Sequence, residues 1–294
     1  MDRAAIARET VAIVERGHYV APSGRRVDIA DPVRACVAAT RLVLAGEPIE
    51  SVAAAGGDPA QDPSRAGRIE LTNESTLAAI VRALDEGAPA VSALNFASAR
   101  NPGGGFLKGA HAQEESLARS SALHASLLAA GPFYEQHRAS PSLLYSDAII
   151  VSPGCPVFRD DAGTLLEAPR LATFLTSPAP NAGAIADRGS AEREQIAATL
   201  ARRADRVVDV AAAAGPRTLI LGAWGCGVFR NDPAGVASAL LAALQNRAEC
   251  FDRVIFAVLD HSPGRATFGA FRAAIGPGGP VSGPGGAAWP TSGR

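Results

Sequence analysis

Lysine is almost absent from this chain. Lys108 is the single one among 294 residues, against 27 arginines. Aromatic residues make up only 5% of the sequence. A core must therefore be built mostly from Ala, Val, Leu and Ile, and the 47% hydrophobic content is too high for a disordered chain. An excess of either charge is missing too, since 28 basic and 29 acidic residues leave a net charge of −1. That balance excludes gripping bare nucleic-acid backbone by bulk positive charge. No apolar run approaches the ~20 residues that a membrane-spanning helix needs. The N-terminal stretch also lacks the uninterrupted apolar segment of a signal peptide. The four cysteines, Cys36, Cys155, Cys226 and Cys250, contain no C-x-x-C pair, and no Cys/His cluster has zinc spacing. The expectation is a cytoplasmic protein with reduced thiols, no metal and no cofactor.

What is there is length enough for a full core and a pattern of alternating elements. Asp2 is placed to cap a first amphipathic helix. His18–Val20 and Val27–Ile29, around a turn at Ser23-Gly24, read as a small hairpin. Residues 32–44 are apolar at helical spacing, and 55–66 are a loop by composition. From residue 67 onward strands and helices alternate. Strands are predicted at 68–72, 88–95, 148–151, 155–159, 171–176, 217–221 and 253–259. Helices are predicted at 74–86, 113–130, 190–213, 233–249 and 263–274. This is an α/β pattern with a largely parallel central sheet. Residues 1–66 form an N-terminal helical extension and 67–275 the core. Residues 276–294 form a disordered tail, in which 11 of 19 residues are Gly or Pro and Trp289 is not core.

Two glycine-rich loops follow predicted strands. The first runs from Asn95 to Glu115 and contains Gly103-Gly104-Gly105. Consecutive glycines suit a backbone that approaches a ligand closely or takes positive φ. The helix that follows presents free N–H groups and a positive dipole end to an anion. The second loop, Gly222 to Asp232, also joins a strand to a helix, so the two loops can face each other across one cleft at the strand ends. Neither is a known nucleotide fingerprint: Lys108-Gly109 lacks the Ser or Thr of a P-loop, and the second loop is not G-x-G-x-x-G.

Glu114 and Glu115 open the helix after the first loop. Acidic residues are favoured there by the dipole alone. The preceding loop makes a carboxylate at that place a candidate acid/base. Adjacent helical residues do not face each other, so the pair fits poorly to carboxylates flanking a glycosidic bond from opposite sides. If they are catalytic, one transfers the proton and the other holds the substrate. A glutamate at a helix N-terminus feels burial, which raises its pKa, and the dipole, which lowers it.

The triple glycine, seven residues, then Gln113-Glu114-Glu115 resembles the GGG-x(6–8)-QEE signature of poly(ADP-ribose) glycohydrolases. Asn95-Phe96-Ala97-Ser98 and Asn101-Pro102 resemble the bacterial-type branch, and Gly222–Phe229 resembles that family's phosphate-binding loop. Weaker similarity lies at Ile69–Thr76 and Val157–Asp161, and the resemblance runs from about residue 5 to 275. It implies a macrodomain-like fold, a mixed central sheet sandwiched by helices. It implies hydrolysis of the ribose–ribose bond of poly(ADP-ribose) from chain ends, with ADP-ribose as product and the polymer or ADP-ribosylated proteins as substrate. Glu115 would protonate the departing ribose oxygen and then deprotonate the attacking water, while Glu114 would hydrogen-bond ribose hydroxyls of the leaving group. Gln113 and Gly103, Gly104 and Gly105 would shape the loop and supply N–H groups. Gly225, Cys226, Gly227 and Val228 would cradle the diphosphate, and Phe229 would pack on the terminal ribose. Ser98 and Asn101 would contact that ribose or orient Glu115. A diphosphate held by backbone N–H groups needs no basic patch, in keeping with the near-neutral charge.

Two other readings share these loops: a non-catalytic module that binds ADP-ribose, and a hydrolase of mono-ADP-ribosyl conjugates. Both glutamates weigh against the first. Lys108 and His111 depart from the small or neutral residues expected in the loop. Lys108 either reaches a polymer phosphate or is a solvated side chain, the latter being the simpler reading. Cys226 has no neighbouring base and reads as packing, Trp224 as a loop anchor, and His124 as structural. Arg230 is either solvated or a phosphate contact.

Overall fold

The computed structural model describes residues 2–49 and 67–276. The expected loop at 55–66 and the tail beyond Gly276, with Trp289, lie outside the described residues. Helix α1 (Arg3–Arg16) is capped by Asp2, whose carboxylate accepts from the N–H groups of Ala4 and Ala5. Strands β1 (His18–Val20) and β2 (Arg26–Asp28) form the antiparallel hairpin. Residues 32–44, read as one helix, divide into α2 (Ala30–Ala39) and β3 (Arg41–Val43). Thr40 ends the helix in extended backbone, and its hydroxyl donates back to Cys36 O at 2.8 Å. Strand β3 then joins the main sheet, so the expected extension contributes an edge strand to the core.

The rest runs β4 (Arg68–Thr72), α3 (Thr76–Asp85), β5 (Val91–Phe96), α4 (Gln113–Ser120), α5 (Leu123–Ala129), α6 (Gly131–Ala139), β6 (Ile149–Arg159), β7 (Leu165–Ser177), α7 (Ala182–Asp187), α8 (Ile196–Ala214), β8 (Thr218–Gly222), α9 (Pro233–Gln245), β9 (Arg253–Ala257) and α10 (Ala266–Ile275). The seven-stranded sheet has the order β3-β6-β7-β5-β8-β9-β4. Strands β7, β5, β8, β9 and β4 are parallel, and β6 runs antiparallel to both of its neighbours, β3 and β7.

Side chains alternate across this sheet with the period of two that extended backbone imposes. Ala93, Ile150, Ile220 and Ile255 pack with the hairpin and α1–α6 on one face. Leu94, Ile149, Leu219, Leu221, Val254 and Phe256 pack under α8–α10 on the other. A sheet covered on both faces reads as near-continuous apolar strands, which is why β8 and β9 were plain in the sequence. The result is the mixed sheet between helices that the resemblance implied.

The predicted helix over 113–130 is broken. Ser121 is extended (φ −148°, ψ 177°) and bridges Val157 in the sheet. The Ala122 N–H donates to Pro156 O at 3.0 Å, and the Ser121 hydroxyl to Leu117 O at 2.7 Å. Helical spacing continues through the break, so only this long-range pairing reveals it.

Candidate active site

The carboxyl ends of β4, β5, β8 and β9 point to one edge of the sheet. The segments that follow them line a cleft of about 670 Å³. Open parallel sheets place ligand sites there because the connecting loops converge without blocking the strand ends. The first glycine-rich loop and the start of α4 form one wall, and the second loop forms the facing one.

The first loop is organised by its carboxylates. Glu114 is buried, and its Oε2 accepts from Ser98 N–H at 2.7 Å. Its Oε1 accepts from Asn95 Nδ2 at 3.2 Å. Burial pushes this carboxyl up to about 8 against the pull of those donors, with Glu115's charge adding to the rise. Glu114 is therefore largely protonated at neutral pH. Asn95 Oδ1 is buried without a partner among the described residues. A half-turn of its amide would offer an acceptor to the protonated carboxyl. Glu115 faces the cleft, and its Oε1 accepts from Gly105 N–H at 3.0 Å. Its Oε2 has no hydrogen-bond partner among the described residues.

Gly104 must be glycine here. Its φ is +60°, and a Cβ at that position would sit 2.2 Å from Glu115 Oε1. Gln113 is locked below the carboxylates. Its Nε2 donates to Leu94 O at 2.8 Å and Thr76 Oγ1 at 3.1 Å, while its Oε1 accepts from Phe96 N–H at 2.9 Å. Ser98 N–H holds Glu114, and the Asn101 N–H donates to Ser98 Oγ at 3.2 Å; neither hydrogen-bonds Glu115, and both line the cleft. The triple glycine does not offer its N–H groups freely: Gly104 N–H donates to Asn101 O and Gly105 N–H to Glu115.

The second loop is organised differently. Trp224 is buried, and its indole N–H donates to Ser177 O at 3.0 Å, the anchor expected of it. Asn231 is buried, and its Nδ2 donates to Pro180 O at 2.8 Å and Gly225 O at 3.1 Å. Gly225 has φ +71°, and a Cβ there would meet Ala179 and Asn231 at about 2.5 Å. The N–H groups of Gly225, Gly227, Val228 and Phe229 have no hydrogen-bond partner among the described residues, and all four residues line the cleft. Free backbone N–H groups in a loop of this kind suit an anion. Cys226 also lines the cleft, but burial and then Asp232 push its thiol up to about 12, which makes it a poor nucleophile. Phe229 is half-buried and lies near Tyr145, with ring centroids 6.0 Å apart and the rings tilted by 39°. Arg230 lies outside the cleft wall and pairs with Asp187.

Sequence reasoning gave Asn95, Thr76 and Asn231 no role of their own, although Asn95 and Thr76 lie in stretches that carry the resemblance. Each acts through a contact to a residue remote in sequence. Among the described residues there is no group of His, Cys, Asp and Glu placed to hold a metal ion. Nor is any described helix long and apolar enough to cross a membrane.

The family whose pattern matches the chain is microbial-type PARG, catalytic domain, over residues 7–160. Among solved structures, the chain is similar to poly(ADP-ribose) glycohydrolase from Thermomonospora curvata, with 50% identity over 92% of this chain and 98% of that one and a TM-score of 0.83. The same enzyme bound to the inhibitor ADP-HPD aligns at 49% identity over 92% and 97%, with a TM-score of 0.79. Poly(ADP-ribose) glycohydrolase from Deinococcus radiodurans in complex with ADP-ribose aligns at 47% identity over 83% and 96%, with a TM-score of 0.72. No curated protein matches the chain.

Proposed function

The chain belongs to the microbial-type poly(ADP-ribose) glycohydrolase family, and from this we propose that it hydrolyses the ribose–ribose bond of poly(ADP-ribose) at chain ends, with Glu115 as the catalytic residue. The observation that carries the reading is the division of labour between adjacent glutamates. Glu115 has one oxygen held by Gly105 N–H and the other open to the cleft, while Glu114 lines the same cleft but is almost wholly buried. The open Oε2 gives its proton to the departing ribose oxygen as the bond breaks through an oxocarbenium-like state. The same oxygen then takes a proton from the attacking water. Glu114, neutral at physiological pH, places no second negative charge beside Glu115, and its Oε2 is an acceptor for a ribose hydroxyl. The free N–H groups of Gly225, Gly227 and Val228 hold the diphosphate, with the Cys226 backbone in the same turn and Phe229 against the terminal ribose.

The substrate is the polymer or ADP-ribosylated protein carrying it, and ADP-ribose is the product. Four cysteines that are free in the structure favour a cytoplasmic setting. The test is ADP-ribose release from purified polymer by wild type and by Glu115→Ala. A fall of about 10²–10⁴-fold is expected, the usual worth of a positioned acid/base. Retained turnover in the variant would falsify the role of Glu115. ADP-ribose as the first product, ahead of shortened polymer, marks cleavage from the ends. Tight ADP-ribose binding by wild type without turnover would point instead to a binding module.

A further inference from the structure

Next to His111, on the wall of the cleft, lie two arginines that the reading above does not use; neither lines the cleft itself. Arg119, on α4, is buried, yet among the described residues it has no carboxylate within ion-pair distance. Its guanidinium donates instead to neutral acceptors: Ala110 O at 2.6 Å, Ser116 Oγ at 3.3 Å and His111 Nδ1 at 3.2 Å. A guanidinium has only donors and keeps its proton, so Nδ1 of His111 must be the acceptor and the ring proton sits on Nε2. Burial and the charges of Arg3 and Arg119 hold the imidazole below its usual pKa, which keeps it in this neutral form.

His111 lines the cleft together with Glu115 and Ser116, and its Nε2 has no partner among the described residues. Arg3, at the start of α1, packs its Cβ over Gly109 in the same loop and also has no ion-pair partner among the described residues. Asp161 also lines the cleft and accepts from Ser75 Oγ at 2.5 Å; its charge and that of Glu115 act on His111 against those of Arg3 and Arg119. Lys108, the compositional oddity of the loop, is exposed and outside the cleft wall.

We infer that His111, oriented by Arg119 and flanked by Arg3, binds the diphosphate of the ADP-ribose unit on the leaving side of the scissile bond, and so makes the site selective for polymer. The ADP-ribose unit being released occupies the cleft from Glu115 to the free N–H groups of the second loop. The next unit must leave past the opposite side of Glu115, where His111 stands. A chain of donors from Arg119 through the imidazole to Nε2–H polarises that last N–H toward an anion. His111 is a specificity residue here, and Arg119 positions it.

This inference rests on the glycohydrolase reading. The experiment measures KM and kcat on purified polymer at low and high salt, and the ADP-ribose Kd by calorimetry. The proteins are wild type, His111→Ala, His111→Gln, Arg3→Ala and Lys108→Gly. His111→Ala is expected to raise KM for polymer about tenfold, the worth of one hydrogen bond to a charged group, with kcat and ADP-ribose Kd within about twofold. His111→Gln keeps an N–H donor and recovers most of the loss. Arg3→Ala flattens the rise of KM with salt, and Lys108→Gly changes neither quantity. An unchanged polymer KM in His111→Ala overturns the inference while leaving the activity standing. A Kd for ADP-ribose that weakens in step with KM overturns it as well, because His111 would then serve the released unit or the loop itself. Absence of ADP-ribose release by wild type overturns the activity and the inference together.

Discussion

The two glycine-rich loops face one cleft and are built on opposite principles. In the loop from Asn95 to Glu115 the backbone donors are used internally: Ser98 N–H and Gly105 N–H each hold a carboxylate. In the loop from Gly222 to Asp232 the side chains of Trp224 and Asn231 do the holding, and the N–H groups of Gly225, Gly227 and Val228 stay open to the cleft. One loop uses backbone to aim side chains, and the other uses side chains to aim backbone. The first suits proton transfer, where a carboxylate must be placed to within a fraction of an ångström. The second suits an anion, which a fixed array of weak dipoles can hold without a mobile cation.

The largest expected effect breaks the first loop alone. Glu115→Ala should lower kcat by about 10²–10⁴-fold while the ADP-ribose Kd stays within about threefold, because the second loop is untouched. Alanine at the two strained glycines sharpens the contrast. Gly104→Ala puts a Cβ into Glu115 Oε1 and should cost about 10²-fold in kcat. Gly225→Ala puts one into Ala179 and Asn231 and should instead weaken ADP-ribose binding about tenfold. Equal effects of the two on kcat would erase the distinction between the loops.

Glu114→Gln addresses burial within the first loop. The carboxyl is raised to about 8 in the fold, so the folded chain holds a proton that the unfolded chain releases above about pH 4.3. Its contribution to stability is complete below that pH and is lost as pH rises towards about 8. Glutamine does not titrate. The variant should therefore gain on wild type between pH 5 and 8, by an amount of the order of a few kcal/mol, read from urea midpoints at a series of pH values. A difference that does not vary with pH would mean that Glu114 is ionised in the fold. The smallest effect belongs to Cys226→Ser, expected within about twofold in kcat, since a thiol pushed up to about 12 supplies no nucleophile.

Much of this was legible in the chain. Ala93–Leu94, Leu219–Leu221 and Val254–Phe256 are apolar without interruption because both faces of their sheet are covered. The GGG-to-QEE spacing sits within one loop and one helix turn, so it survives as a contiguous motif. The break at Ser121 was not legible, because Ser121 leaves the helix only to pair with Val157, 36 residues away. Nor was the edge strand at 41–43, whose three residues become a strand only against β6. The lone lysine drew notice by composition, but a 3₁₀ turn over Phe106–Lys108 turns the loop so that His111, not Lys108, reaches the cleft wall.

Sequence was enough for most of the alternating strands and helices, the two loops and the pair of glutamates, since these follow from local periodicity and short spacings; β3, α6 and α7 were not read from it. Which glutamate is buried and protonated and which is open to the cleft is invisible in Glu114-Glu115 read as neighbours. Their difference arises from the packing that desolvates Glu114, which outweighs the pull of the Asn95 and Ser98 donors. Desolvation depends on everything packed around a group, and only the assembled sheet and helices supply that surrounding.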